Sequence, residues 1–457
     1  MLKLMIASDD SSQGVGEVFQ AIVNQSRLSM TEFANRLQII NADLASCTNV
    51  SSLQNQRIPS NHAKEDLKNI FNILGGAHTL WNVGHAIYSK HYGENSDSQD
   101  LGAWRFLQGL GIPCPTAVDK KDYTLMIKNI EKIHKATLVY CIKVVMGTEN
   151  QVVSEELPKL PSAKLAEYIQ ATFDRFFTPQ AKKTAAETSL KLSNLILRLS
   201  DFATVVEGNA AMKGGNIGRL MNVWKRWAVI SQGIKSLTQY SIHLPRMIIL
   251  LTQVLKPGLA RVILHSYLIS PSGRQKHYLA KDQLLEMKNF WLKFLFNHSG
   301  RGTNIERLMN SYSVNITFLQ NLIRNLASDC GKDNIFQSHH NKIDVISMNN
   351  CLRMCRQNDV CSANHTIDEF VPTAVKNFYS LGIKKLKAKF MEKGRPINKL
   401  RPLSMGVWDP NRGCNHLADT DTDVSTSGNE EPEADDDELG ADSDDEGDSS
   451  DSSVEDN

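Results

Sequence analysis

Several things are missing from this 457-residue chain, and each absence narrows what it can be. No apolar run reaches the about 18–20 residues needed to cross a membrane; the longest, MIILLTQVLKPGLARVIL, is interrupted by Lys256, Pro257 and Arg261. The opening MLKLMIASDDSS carries one lysine and a short apolar run that meets Asp9 and Asp10, which makes a poor secretory signal. A soluble intracellular chain, nuclear or cytoplasmic and without a membrane partner, is therefore expected. Eight cysteines in a chain of this length, without secretory features, point to reduced thiols and not to a disulfide framework. GxSxG, paired CxxC and kinase motifs are absent, and GGNIGR has neither a strand before it nor GK[ST] after it. Nothing repeats at a fixed period, so no solenoid is expected. No small-molecule substrate is indicated.

Bases are lacking in one place. After Arg412 there is no Lys or Arg, while eighteen of the 50 acids fall between Asp419 and Asp456. That leaves 32 acids against all 51 bases, so the formal total of +1 hides a body near +19 and a tail near −18. From about Met405 the chain also loses its apolar period. Such a segment cannot bury enough apolar surface to offset its ordering entropy, and a disordered acidic tail is expected. Ser443, Ser452 and Ser453 each stand three residues before an acid, the context acidophilic kinases prefer, so phosphorylation would deepen the charge. A polyanionic tail can compete with nucleic acid for a basic surface or recruit basic proteins. Its plain alternative is solubility alone.

What the chain has in quantity is helical period. Ser29 and Glu32 have capping-box spacing, LQII reads as a buried strand ending at Asp43, and LKLMIAS is a second strand candidate. These are too few for a complete α/β domain. From about Glu65 apolar positions recur at 3.6-residue spacing, beginning with LKNIFNILGGAHTLWNVGHAIY, and Gly/Pro clusters such as LKPG and SPSGRQ separate the segments. The expected fold is mainly α: a short, incomplete α/β element over 1–55, a helical body over 56–402, and the acidic tail over 403–457.

Four groups of residues carry possible chemistry. In GAHTLWNVGHAIYSKHYG, His78, Asn82 and His85 share one helical face; the two histidines are roughly 10 Å apart along the axis, too far to bind one metal ion. His78 and Asn82 become candidates for a polar cleft, against the alternative of a buried helix with a hydrogen-bonded stripe. Asp282 and Glu286, at i and i+4, could join Asp43 as oxygen ligands of a Mg²⁺-dependent phosphoryl-transfer site. Alternatively, Asp282 caps a helix and Glu286 pairs with Lys288 or another base. Asp201 and Glu207 are further acids of this kind. Cys351, Cys355, Cys361 and His365, with His339 and His340 nearby, suit zinc in residue type but lack the CxxC knuckle; the i, i+4 cysteines fit two buried thiols equally. Nucleic-acid-binding candidates are Arg274, Lys276 and Lys281 around a turn, with His277. Lys384, Lys385, Lys387 and Lys389 join them from KKLKAKFMEKGRPINKLR, where eight bases meet one acid.

Five stretches in order resemble the fungal family of domain of unknown function 6589: LGGAHTLWNVGHAIYSKHYG, DLGAWRFLQGLGIP, KKDYTLMIKNIEKIHKATLVYCI, GRLMNVWKRWAVISQGIKSLTQYSIHLPRMIILL and AKDQLLEMKNFWLKFLFN. The resemblance extends over roughly residues 30–400. It implies a multicopy, mobile-element-like origin without an established activity, and suggests descent from a transposase with a ribonuclease-H-like core. Asp43 falls where members show Gly-Asp-Leu, with Ala42 in place of the glycine. His78 and Asn82 match a recurring His and Asn, and Asp282 and Glu286 match the Lys-Asp and Glu positions. Asn216 stands where an aspartate is usual. Members extend further N-terminally, so the resemblance implies a truncated core. The leading expectation is a non-catalytic relic that binds nucleic acid through its basic body, with the tail as internal competitor. A metal-dependent nuclease and a helical interaction scaffold are the alternatives.

Overall fold

A computed structural model of the chain describes residues 2–298, 305–331, 343–362 and 373–391, apart from 61, 63–64, 98, 116–117, 119–121 and 155–158. The chain parts into Met1–Trp408 and Asp409–Asn457, and the second unit lies wholly outside the described residues, as do Ser443, Ser452 and Ser453.

The N-terminal part runs α1 (Ser12–Ser26), α2 (Met30–Ala34), β1 (Gln38–Ala42), α3 (Leu44–Gln56) and β2 (Ile70–Leu74). A helical series follows: α4 (Gly76–His91), α5 (Ala103–Gly109), α6 (Tyr123–Met146), α7 (Ser162–Phe176), α8 (Pro179–Thr188), α9 (Leu190–Lys213) and α10 (Ile217–Gly233). Then come α11 (Tyr240–Ile249), α12 (Pro257–His265), the two-residue strands β3 (Leu268–Ile269) and β4 (Leu279–Ala280), and α13 (Lys281–His298). The last described elements are α14 (Ile305–Arg307), α15 (Ser313–Asp329), α16 (Val345–Gln357) and α17 (Phe378–Met391). The mainly helical expectation holds. No helix among the described residues is long and apolar enough to cross a membrane.

Most helices start where a short polar side chain can satisfy the first free N–H groups. Ser11 accepts from Gly14, Thr178 from Ala181, Ser189 from Leu192, Asn216 from Arg219 and Asp344 from Ser347. Ser29 and Glu32 form the expected capping box at α2. Asn216 thus performs a duty that an aspartate would also perform.

β1 and β2 pair in parallel through α3, with Gln38 opposite Ile70 and Ala42 opposite Leu74. The strand at LQII is where the sequence put it, but the second strand is not. Residues 2–7 form no ladder; the Lys3 N–H donates to Gln25 and the Leu4 N–H to Ser313. Instead IFNIL, which periodicity assigned to a helix, is β2. Four of its five residues are buried, and a strand covered on both faces loses the alternation that would reveal it. The Gln54 amide donates to the carbonyls of Leu67 and Ile70, and Asn72 donates to the Cys47 carbonyl, which locks α3 over the strand. Ile40 and Ile70 face a small cluster with Val15, Phe19 and Leu53, while Ile39, Phe71 and Ile73 face the main core.

That core is built on α9, packed by α4, α6, α8 and α10, with Phe202, Trp224 and Trp227 fully buried. The Trp227 indole N–H donates to Thr204 Oγ1 at 2.8 Å. α17 lies against α10 at backbone contact: a Cβ on Gly382 would overlap the Val229 carbonyl. This close approach presents Lys384, Lys385 and Lys387 as exposed side chains; the side chain of Lys389 lies outside the described residues.

Candidate functional site

α4 begins at Gly75, which has no side chain with which to cap it. The cap comes from 204 residues further along the chain. Asp282, in the first turn of α13, accepts the Ala77 N–H on Oδ1 at 3.3 Å and the His78 N–H on Oδ2 at 3.0 Å. The same Oδ2 takes the His78 ring nitrogen Nδ1 at 3.0 Å. A Cβ at Gly75 would collide with this carboxylate, so glycine is what allows the approach. The expectation that Asp282 caps a helix is met, but across the fold and not on its own helix.

Three carboxylates act on the one imidazole. Besides Asp282, Glu286 Oε1 stands 3.9 Å from His78 Nε2, and the charge of Asp43 also reaches the ring. Glu286 therefore faces His78 and not Lys288, whose Nζ donates to Thr317. Burial opposes charge on His78, but the hydrogen bond and charge of Asp282, followed by Asp43 and Glu286, outweigh it and raise the imidazole above 6.5. Burial likewise pushes Asp282 up, yet the His78 ring, its N–H and the Ala77 N–H together hold the carboxyl below 3.8. Asp43, directly after β1, is also the N-cap of α3, accepting the Ser46 N–H at 2.8 Å.

Asn82 completes the polar face. Its amide donates to the His78 carbonyl at 2.9 Å and to the Tyr240 hydroxyl at 3.1 Å. Trp81 lies edge-on to His78 with centroids 5.0 Å apart, and stacks on Tyr123. Tyr240, Tyr267 and Cys47 belong to this locus and were not singled out in the sequence. The Tyr267 hydroxyl donates to the Leu74 carbonyl at 2.7 Å, and burial pushes the Cys47 thiol up to about 12. No sequence signal marks them, because each is apolar-patterned and meets the site only through packing. The arrangement is a buried Asp282 paired with a half-buried His78 whose other ring edge is open toward Glu286, able to hold a proton and to fix the start of α4.

The other candidates go elsewhere. Asp201 pairs with His91 at 2.9 Å inside the core, and Glu207 pairs with Arg219 at 2.5 Å. Cys351, Cys355 and Cys361 are buried free thiols; burial and the Cys351 neighbour raise Cys355 well above 9. His339, His340 and His365 lie outside the described residues. Among the described residues no group of three or more His, Cys, Asp or Glu is disposed to hold a metal ion. Arg274 and Lys276 are exposed in the turn between β3 and β4, and Lys281 opens α13 beside Asp282.

A second locus has the opposite charge. A cavity of about 440 Å³ opens between α4, α5, α9, α10 and α17, lined by Lys90, Lys191, Arg198, Lys235, Lys376 and Lys385. Asp100 is its one carboxylate among the described residues, and Asp100 Oδ1 already accepts the Gly102 N–H and the Trp104 indole N–H, each at 2.7 Å. Of the sequence candidates among the described residues, only Lys385 is here.

A profile of the family of unknown function DUF6589 matches residues 1–339. The chain belongs to this family. No curated protein and no solved structure matches it. Asp43, His78, Asn82, Asp282 and Glu286 all fall inside the DUF6589 span, whereas α16 and α17 fall beyond it. The cationic cavity thus combines walls from the DUF6589 region with walls from the segment that follows.

Proposed function

We propose that this chain binds nucleic acid as a polyanion through its helical body, and that the Asp282–His78 pair serves the fold and not a reaction. One observation carries the reading: four exposed lysines, Lys90, Lys235, Lys376 and Lys385, ring one concavity whose single carboxylate among the described residues is already hydrogen-bonded. Concentrated cations of this kind release counterions from DNA and give affinity without base contacts. The acids between Asp419 and Asp456 compete for those cations. The ordered resemblance of five segments supports descent from a fungal mobile element.

Duplex DNA should bind with a log–log salt slope of about −3 to −4, about −0.9 for each phosphate contacted. Lys376→Glu with Lys385→Glu should weaken it at least tenfold, and deletion of 419–457 should strengthen it. If the tail-deleted chain ignores DNA at low salt, the reading fails and an interaction scaffold takes its place.

A second reading, Mg²⁺-dependent phosphodiester hydrolysis, is favoured by the convergence of Asp43, Asp282 and Glu286 on one imidazole. It ranks second because Asp282 already accepts three donors and Asp43 one, so few oxygens remain for an ion. Mg²⁺-dependent nicking of plasmid DNA, lost in Glu286→Gln, would establish it; an inert wild type disposes of it.

A further inference from the structure

The cationic cavity is lined by an arginine that has no ion-pair partner among the described residues, with Asp100 acting on it only through its charge. Arg198 is buried, and no carboxylate pairs with it among the described residues. Its guanidinium donates one bond, from Nη1 to the Leu101 carbonyl at 2.7 Å, and lies 4.0 Å from the centroid of the Phe106 ring. Its Nε has no partner among the described residues. Burial lowers Arg198 to about 10, a sign of how poorly its charge is compensated. Buried charges are ordinarily paired, because removing an ion from water costs several kcal/mol or more. An arginine that lines a cavity and has no carboxylate paired with it among the described residues is half of a binding site.

The rest of the cavity says what the other half looks like. Phe106, Leu195, Ile234, Phe378 and Leu381 supply apolar walls, which an inorganic anion would leave unused. The rim lysines exceed what a monocarboxylate can neutralise, and favour a group with two or more negative charges. The volume lies within the ~300–1,000 Å³ typical of small-molecule sites. The rim is also held in place: Asn194 on α9 donates to the Thr373 carbonyl and accepts from the Val375 N–H, both at 2.9 Å, which fixes the strand of chain carrying Lys376 over the opening.

We propose that this cavity binds a nucleoside phosphate, the base against the apolar walls and the phosphate between Arg198 and the rim lysines. The ligand is either a free nucleotide or an unpaired nucleotide of a longer strand; the inference rests on the polyanion reading for its use of the rim. Neither the DUF6589 region nor the following segment contains this site alone, since Arg198 comes from the first and Lys376 and Lys385 from the second.

The test is calorimetry on the full chain with ATP, AMP, adenosine and inorganic phosphate, repeated after deletion of 419–457. ATP and AMP should bind saturably, with adenosine and phosphate at least tenfold weaker. Ala374→Trp, at the exposed mouth, fills the opening without changing charge. It should weaken nucleotide binding at least tenfold and leave blunt duplex binding within twofold. Lys235→Glu should weaken both. Displacement of ATP by a single-stranded oligonucleotide, but not by blunt duplex, identifies a strand as the source of the ligand; no displacement by either identifies a free nucleotide. Absence of ATP binding in both forms, or affinity indifferent to Ala374→Trp, overturns the inference even if duplex DNA still binds. Duplex failure with intact ATP binding overturns the polyanion reading instead.

Discussion

The cluster around His78 and the cavity around Arg198 share one helical body and treat charge in opposite ways. At His78 the charges are consumed: Asp282 accepts two backbone N–H groups and a ring nitrogen, and Asp43 caps α3. At Arg198 they are left over: a buried guanidinium with an unpartnered Nε, ringed by lysines and one engaged aspartate. A charged group whose partners are all inside the fold holds the fold together. One whose partner is missing is available to something else. Richness in titratable residues therefore does not distinguish a site from a scaffold; the state of their hydrogen bonds does.

The largest test of this contrast is Asp282→Ala. It strips the cap from α4 and leaves His78 without its buried partner, and should cost about 3–5 kcal/mol in urea unfolding. Lys376→Ala, on the other side of the comparison, should stay within about 0.5 kcal/mol. A cost below about 1 kcal/mol for Asp282→Ala would erase the distinction.

A smaller effect is expected from pH. The folded pKa of His78 is raised, so its contribution is complete below the unfolded value of 6.5 and fades as pH rises through the folded value. The folded pKa of Asp282 is lowered, so its contribution is complete above 3.8 and fades as pH falls through its own folded value. The pair thus gives its full stabilisation between 3.8 and 6.5. The stability difference between wild type and Asp282→Asn, followed from about pH 4 to about pH 9, should shrink on the alkaline side. A difference that grows there contradicts the assignment.

The smallest effect belongs to Asn216, the N-cap of α10. Its side chain caps α10 by accepting the Arg219 N–H at 3.0 Å. Aspartate does the same, so Asn216→Asp should shift stability by no more than about 0.5 kcal/mol and leave DNA binding unchanged. A marked change in either would mean that this position acts beyond its own helix.

Much of the candidate site was legible in the residues. Asp43 after a strand, His78 and Asn82 on one helical face, and Asp282 with Glu286 at i, i+4 were all visible as local patterns. The partners were not. Nothing about Gly75 announces that a carboxylate will occupy the space its side chain leaves, and Tyr240 and Tyr267 look like ordinary apolar positions. Arg198 sits within LILRLSDF, where a 3.6-residue period reads an arginine as a solvent-facing interruption; it is buried because α5 and α16 close over that face of α9.

Sequence by itself determined what depends on neighbours a few residues apart: the helical segments, their capping residues, β1, and the gathering of bases ahead of an acidic end. Those are settled by 3.6-residue periodicity, by side chains reaching the nearest free N–H groups, and by simple charge counting. Tertiary structure alone decided that Ile70–Leu74 is a strand, that Asp282 caps α4, and that lysines from α4 and α17 ring one buried arginine. Each of these joins residues far apart along the chain, and their meeting is fixed by which faces the packed core brings together.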